Sequence, residues 1–107
     1  TVQARYSHYW PPLGGVNCGR FVGGVCISKM ASNKPWADYI GEAVACPKEM
    51  AFGTLIVLDG RVWTCMDRGS MIVYDGEIPW VDFLVETGTH QYGEIIEVQI
   101  IPAGDVR

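Results

Sequence analysis

The segment 55–66 constrains the fold of this chain more than any other. Two apolar runs, 55–58 and 61–66, flank the dipeptide Asp59-Gly60, which is typical of a two-residue β-hairpin turn. The other apolar runs are equally short, and most end at glycine, proline or a polar turn. The sequence therefore predicts about six short strands, at residues 2–10, 42–46, 55–58, 61–66, 78–84 and 93–101.

The connections between these strands leave almost no room for helix. Residues 13–26 contain five glycines and are predicted to be a loop, and residues 36–40, which follow Pro35, are predicted to form one helical turn. Two further loops are expected at 70–77, with a hairpin turn at Asp75-Gly76, and at 86–92. We expect one all-β domain spanning residues 1–107, with long loops and at most one or two short helices. The pattern is typical of an all-β barrel or sandwich, and a closed barrel would also leave no edge strands.

The charge of the chain limits its partners. Its 107 residues carry a formal net charge of −4, which argues against a nucleic-acid partner. No apolar run approaches the length of about 20 residues that spans a bilayer, so no membrane span is predicted. We also predict no cofactor and no metal, and we expect a monomer.

Four cysteines are numerous for so short a chain: Cys18, Cys26, Cys46 and Cys65. An even number in a small domain suggests two disulfides and an oxidising compartment. Three pairings are possible, and we favour Cys18–Cys26 with Cys46–Cys65. A zinc site is the alternative, but the spacings contain no C-x-x-C element.

Two acids stand next to core-forming residues. Asp67 follows the apolar run 61–66, and Asp82 lies within the apolar pentad 80–84. Burying a carboxylate costs free energy unless it is paired or hydrogen-bonded, so such acids are either structural or functional. One interpretation makes Asp67 the acceptor of backbone hydrogen bonds in a turn and Asp82 a buried structural acid. The other makes both acids catalytic.

Several short elements, in this order, resemble the double-psi β-barrel superfamily. They are Glu42-Ala43-Val44-Ala45-Cys46-Pro47, Phe52-Gly53-Thr54, Met66-Asp67-Arg68-Gly69, Val81-Asp82-Phe83-Leu84, Tyr92-Gly93 and Val98-Gln99-Ile100. The resemblance covers residues 4–101. It is closest to the three-aspartate (3D) domain and the rare-lipoprotein-A-like domains, whose relatives include lytic transglycosylases, family 45 endoglucanases, expansins and barwin. It implies a six-stranded double-psi β-barrel.

The resemblance also implies roles for the two acids. Asp67 occupies the position of the general acid, and Asp82 occupies that of the last family aspartate. The first family aspartate precedes a proline, and here Cys46 precedes Pro47. Residues 5–9 contain no acid where family 45 enzymes carry a base, which argues against an inverting endoglucanase.

The resemblance favours a secreted or cell-envelope enzyme that cleaves a wall polysaccharide. A peptidoglycan lytic transglycosylase is the main expectation, since it needs one acid (Asp67), here assisted by Asp82. The alternative is a non-catalytic polysaccharide-binding module of the expansin or barwin type. The substrate-binding residues are predicted to be Tyr6, His8, Tyr9, Trp10, Arg68 and Trp80. Trp36 and Tyr74 are further candidates for stacking on sugar rings, whereas Trp63 is expected in the core.

Overall fold

The computed structural model describes residues 1–86 and 93–104, without the side chain of Val16. It has nine strands: β1 (Val2–Tyr9), β2 (Phe21–Val22), β3 (Val25–Cys26), β4 (Ala43–Ala45), β5 (Leu55–Leu58), β6 (Arg61–Asp67), β7 (Tyr74–Asp75), β8 (Ile78–Leu84) and β9 (Glu94–Ile101). The described residues contain no α-helix, and 3-10 turns of three residues each occur at Pro11–Leu13, Gly15–Asn17 and Trp36–Asp38. The predicted all-β fold is confirmed. Most of the predicted loop 86–92, with His90, lies outside the described residues.

Six of the strands close into a barrel. The order of neighbours is β1-β9-β5-β6-β4-β8, and β8 pairs again with β1. The pairs β1–β8 and β4–β6 are parallel, and the other four pairs are antiparallel. This arrangement confirms the closed six-stranded barrel and is compatible with a double-psi topology.

The barrel interior is filled by the inward-facing side chains of its strands. The fully buried members include Ala4, Val44, Cys46, Ile56, Cys65, Val81, Phe83 and Val98, and Trp63 lies among them as predicted. A disulfide between Cys46 and Cys65, with Cα atoms 5.9 Å apart, joins the end of β4 to β6 inside this core. Both predicted disulfides are confirmed, because Cys18 and Cys26 form the second one.

The two predicted hairpin turns differ in outcome. Asp59 and Gly60 connect β5 to β6 with φ values of 50° and 79°, as a type I′ turn requires. The second turn lies one residue later than predicted: Asp75 pairs with Ile78, so Gly76 and Glu77 form the tip. The positive φ of Gly76, 63°, explains the shift, since glycine adopts the first position of such a turn without strain.

The glycine-rich region predicted to be a loop contains a small second sheet. Strands β2 and β3 form an antiparallel ribbon with Gly23 and Gly24 at its tip, and the Cys18–Cys26 disulfide ties its base. No helical segment in the described ranges is long and apolar enough to cross a membrane.

A second apolar cluster lies on the outer face of the barrel. Alternate residues of β4 and β8 form its floor: Ala43, Ala45 and Leu84. The loop residues Met30 and Ile72 cover this floor and are themselves buried. The cluster thereby shapes one face of the barrel into a recess beneath the loops.

Candidate functional site

The two acids lie on strands that flank β4. Ala45 of β4 is the register partner of Asp67 on β6 and also of Asp82 on β8. Since neighbouring strands are about 4.8 Å apart, the Cα atoms of the two acids lie about 10 Å apart across β4. Asp82 is also paired with Ser7 of β1, so the row continues onto a fourth strand.

An irregularity in β6 sets the direction of Asp67. Cys65 faces the barrel core, and strict alternation would turn Asp67, two residues later, toward the same core. The register between β4 and β6 shifts between Val44 and Ala45, so that Cys65 pairs with Val44 and Asp67 pairs with Ala45. The extra residue, Met66, brings Asp67 onto the outer face beside Ala45. Such bulges often redirect side chains at functional sites.

Both acids line one cavity of about 340 Å³. The same cavity is lined by Tyr9 and Trp36, and by Met30 and Ile72 of the covering loops. The structure thus brings Asp67 and Asp82 together in a recess large enough for a sugar unit.

Asp67 is half-buried and accepts three hydrogen bonds. The backbone N–H groups of Ala31 and Arg68 donate to Oδ1 at 2.9 and 2.8 Å, and the Tyr9 hydroxyl donates to Oδ2 at 2.9 Å. These contacts fix the orientation of the carboxyl group. Oδ1 accepts both of the backbone hydrogen bonds, whereas Oδ2 accepts the hydrogen bond from a side chain.

Tyr9 connects the two acids electrostatically. Burial raises the pKa of its hydroxyl far above the usual tyrosine value, and the negative charges of Asp67 and then Asp82 raise it further. Tyr9 therefore stays protonated and remains a hydrogen-bond donor throughout the neutral range.

Asp82 is held by a short chain of hydrogen bonds. The indole Nε1–H of Trp80 donates to Ser7 Oγ at 2.9 Å, and the Ser7 hydroxyl donates to Asp82 Oδ1 at 2.8 Å. Ser7 is only 4% exposed, so this chain is shielded from water at its centre. The hydrogen bond from Ser7 thereby orients the carboxyl group of Asp82.

Arg68 turns its guanidinium away from both carboxylates. It donates to the carbonyl oxygen of Met50 at 2.6 Å and to that of Cys46 at 3.4 Å, and it stacks on the ring of Phe52. Arg68 also lines the cavity. Its predicted contact with substrate stays a prediction, since the contacts described here anchor the turn after β6.

The aromatic residues predicted to bind substrate lie in different parts of the structure. Trp80 and His8 line a neighbouring cavity of about 310 Å³ that shares Tyr9 and Asp82 with the first. Trp10 packs edge-to-face on Trp36, and Trp36 is the member of this pair that lines the main cavity. Tyr6 lines neither cavity: its ring lies near Phe83 and its hydroxyl donates to Glu94.

Sequence reasoning missed two contributors to this site. Ser7 stands between two larger aromatic residues, and its position two residues before Tyr9 on one strand was the available signal. Ala31 contributes only its backbone N–H, for which the sequence carries no signal. Within residues 1–86 and 93–104, no group of three or more His, Cys, Asp or Glu side chains is arranged to hold a metal ion.

Comparison of the chain with profiles of known protein families, with curated proteins and with solved structures found no match.

Proposed function

We propose that the protein is a double-psi β-barrel enzyme that cleaves a cell-wall glycan, with peptidoglycan lytic transglycosylation as the reaction. The observation that carries the proposal is the shared register of Asp67 and Asp82 on Ala45, which presents both acids to one cavity. Two fixed carboxyl groups in a recess that also contains an aromatic side chain suit the cleavage of a glycosidic bond.

In this proposal Asp67 is the general acid. Its Oδ2 delivers a proton to the glycosidic oxygen as the bond to the anomeric carbon breaks. The 6-hydroxyl of the sugar that contains this anomeric carbon then attacks the carbon, and the hydroxyl proton passes to the Asp67 carboxylate. The product is a 1,6-anhydro sugar, and neither water nor a protein nucleophile enters the reaction.

The neighbouring side chains support this role in distinct ways. The Tyr9 hydroxyl donates to the same Oδ2 and would stabilise the carboxylate after proton transfer. Asp82, oriented by Ser7, would stabilise the positive charge that develops on the sugar ring. Trp36 offers an aromatic ring on which a sugar can stack.

The proposed setting is outside the cytoplasm. Two disulfides in a chain of this size suit an oxidising compartment, and wall polysaccharide is found there. A secreted or cell-envelope protein is part of the proposal, with the polysaccharide as its partner.

The experiment that tests the proposal is mass spectrometry of purified peptidoglycan after digestion. The wild type should release anhydro-muropeptides, and Asp67→Asn should lower the rate by about 100-fold or more, the usual contribution of a general acid. Asp59→Asn is the matched control, because it removes an exposed carboxylate from a hairpin tip where asparagine fits equally well. The absence of any wild-type product from peptidoglycan, cellulose and chitin would contradict the enzymatic proposal.

One observation favours the second candidate, a non-catalytic polysaccharide-binding module. Oδ1 of Asp67 accepts two backbone N–H groups, a pattern that is also typical of an acid which organises a turn. Under this candidate the wild type sediments with insoluble polysaccharide without releasing product. Trp36→Ala should then weaken sedimentation, whereas Asp82→Asn should weaken it much less.

A further inference from the structure

The ribbon formed by β2 and β3 exposes an unusual amount of apolar surface. Its side chains Phe21, Val22 and Val25 are 44%, 51% and 59% exposed, and the flanking Leu13 and Ile27 are each 50% exposed. Successive residues on a strand point to opposite faces, so the paired Val22 and Val25 form one open face, whereas Phe21 shares its face with the buried Cys26. Exposed apolar side chains that lie together in one patch are typical of interaction surfaces.

A disulfide, the strand pairing and the turn geometry constrain the conformation of the ribbon. The Cys18–Cys26 disulfide closes the base of the ribbon, and the pairs Phe21–Cys26 and Val22–Val25 hold its two strands together. At the tip, Gly23 and Gly24 adopt φ values of 58° and 80°. A ribbon tied in this way cannot fold its apolar side chains back into the core, so their exposure is built into the fold.

The chemistry of the ribbon favours a lipid surface over a protein or a glycan. From Phe21 to Ile27 the chain contains no charged or amide side chain and no hydroxyl group. A glycan needs hydrogen-bonding side chains, and most protein interfaces surround their apolar centre with polar groups. A segment of this composition can enter the boundary between lipid headgroups and acyl chains without burying a polar side chain.

The charge distribution specifies the sign of that surface. Residues 1–37 contain four basic residues (Arg5, Arg20, Lys29 and Lys34) and no acid, whereas all 12 acids lie between residues 38 and 107. Arg20 and Lys29 flank the ribbon, and both are exposed. Anionic headgroups would attract Arg20 and Lys29 beside the ribbon, whereas Arg5 is ion-paired with Asp75 and does not contribute.

From these observations we infer that the β2–β3 ribbon is a membrane-docking element that inserts into the surface of an anionic lipid bilayer. This inference goes beyond glycan cleavage and does not depend on it. Asn17 and Gly19 before the ribbon, and residues 28–31 after it, line the cavity that contains Asp67 and Asp82. Docking through the ribbon would therefore hold that cavity close to the bilayer surface.

Vesicle sedimentation tests the inference with the intact, oxidised protein. Wild-type protein should sediment with vesicles of phosphatidylcholine and phosphatidylglycerol, and much less with phosphatidylcholine alone. Val25→Asp places a charge in the ribbon and should weaken binding by about tenfold or more. Val62→Asp is the matched control, because Val62 is 50% exposed on a different hairpin, and it should bind as the wild type does.

Folding and alternative partners are checked in the same set of variants. Thermal unfolding should show that both Asp variants fold, and Arg20→Glu should weaken binding without touching the apolar residues. Equal binding to neutral vesicles, or equal binding by Val25→Asp, would overturn the inference. It would also be overturned if the wild type bound neither kind of vesicle. Self-association in sedimentation velocity, or binding to insoluble glycan, would then identify what the ribbon contacts instead.

Discussion

Tyr9 links the packing of the fold to the geometry of the candidate site. It is nearly buried, belongs to the outer apolar cluster and donates to Asp67. A phenol in this position is held in its neutral form by burial and by the adjacent acids, which together raise its pKa. The same side chain therefore supports the packing of the covering loops and the orientation of the carboxyl group.

The raised pKa of Tyr9 predicts how stability changes at alkaline pH. Below pH 10, the ordinary tyrosine value, the phenol is neutral in both the folded and the unfolded chain, and its contribution is fully present. Above that value only the unfolded chain ionises at Tyr9, so the free energy of unfolding should fall by up to about 1.4 kcal/mol per pH unit from this group. Urea unfolding between about pH 9 and about pH 11 measures the slope.

Tyr9→Phe should make this slope shallower, because phenylalanine does not ionise. Tyr74→Phe serves as the control, since it removes an exposed phenol and leaves Tyr9 in place. If Tyr9→Phe had the wild-type slope, the phenol would not be the group that titrates.

Ser7→Ala should test the hydrogen-bond chain that reaches Asp82. The variant removes the acceptor of Trp80 Nε1–H and the donor to Asp82 at once. Leaving the partly buried indole N–H of Trp80 without its acceptor costs about 1–3 kcal/mol in the free energy of unfolding. Urea unfolding measures the loss, with exposed Ser70→Ala as the control, and equal stability of both variants would contradict the arrangement.

Among the site residues, the conspicuous ones could be predicted from the sequence. Asp67 and Asp82 stood out because an acid beside apolar residues needs a physical explanation, and the structure places both at one cavity. Ser7 is small, neutral and common, so its identity gave no warning. The bond from Ala31 comes from the backbone, which no side-chain pattern reveals.

At the scale of elements, the alternation of side chains along β1 places the predicted aromatic residues on opposite faces of the strand. Ser7 and Tyr9 face the site, whereas the rings of Tyr6 and His8 lie near Phe83 on the other face of the strand, and only His8 of these two also lines the second cavity. Strand alternation could have separated these two sets in advance. The bulge at Met66 could not be foreseen in the same way, because it depends on the pairing of β6 with β4.

The two disulfides should differ in their effect on the barrel. The Cys46–Cys65 bridge lies in the core and closes a loop of 19 residues, so the double variant Cys46→Ala/Cys65→Ala should lose about 3 kcal/mol in the free energy of unfolding. Cys18→Ala/Cys26→Ala removes a bridge outside the barrel and should cost less. Urea unfolding of both double variants gives the order, and the reverse order would show that the ribbon supports the barrel.

For the whole molecule, closure through β1 is the feature on which the barrel depends. β1 pairs with β8 on one side and with β9 on the other. A chain that begins at Trp10 would expose both partner strands as edges, and we expect it to aggregate and to lose cooperative unfolding. A chain that begins at Val2 is the control. Circular dichroism and sedimentation velocity distinguish the outcomes, and a cooperative monomer from the shorter chain would contradict this expectation.

The whole fold was more predictable than its details. Short apolar runs, the Asp59-Gly60 turn and the scarcity of helix formers fixed the all-β class, because these signals are local. Which strands become neighbours depends on contacts between distant residues, such as β1 with β8. The ribbon at β2–β3 escaped prediction since two-residue strands carry almost no periodic pattern.

The pairing of Ala45 with both acids has a consequence for how such proteins diverge. Backbone hydrogen bonds to one short strand define the spacing between the Cα atoms of Asp67 and Asp82, and the surrounding loops, which orient the Asp67 carboxyl group through the Ala31 N–H, do not set that spacing. Those loops are free to change in length and composition while the acids keep their separation. Distantly related proteins would then share one three-strand pattern, in which a small residue on the central strand pairs with an acid on each neighbouring strand. This pattern would persist after the rest of their sequences had diverged.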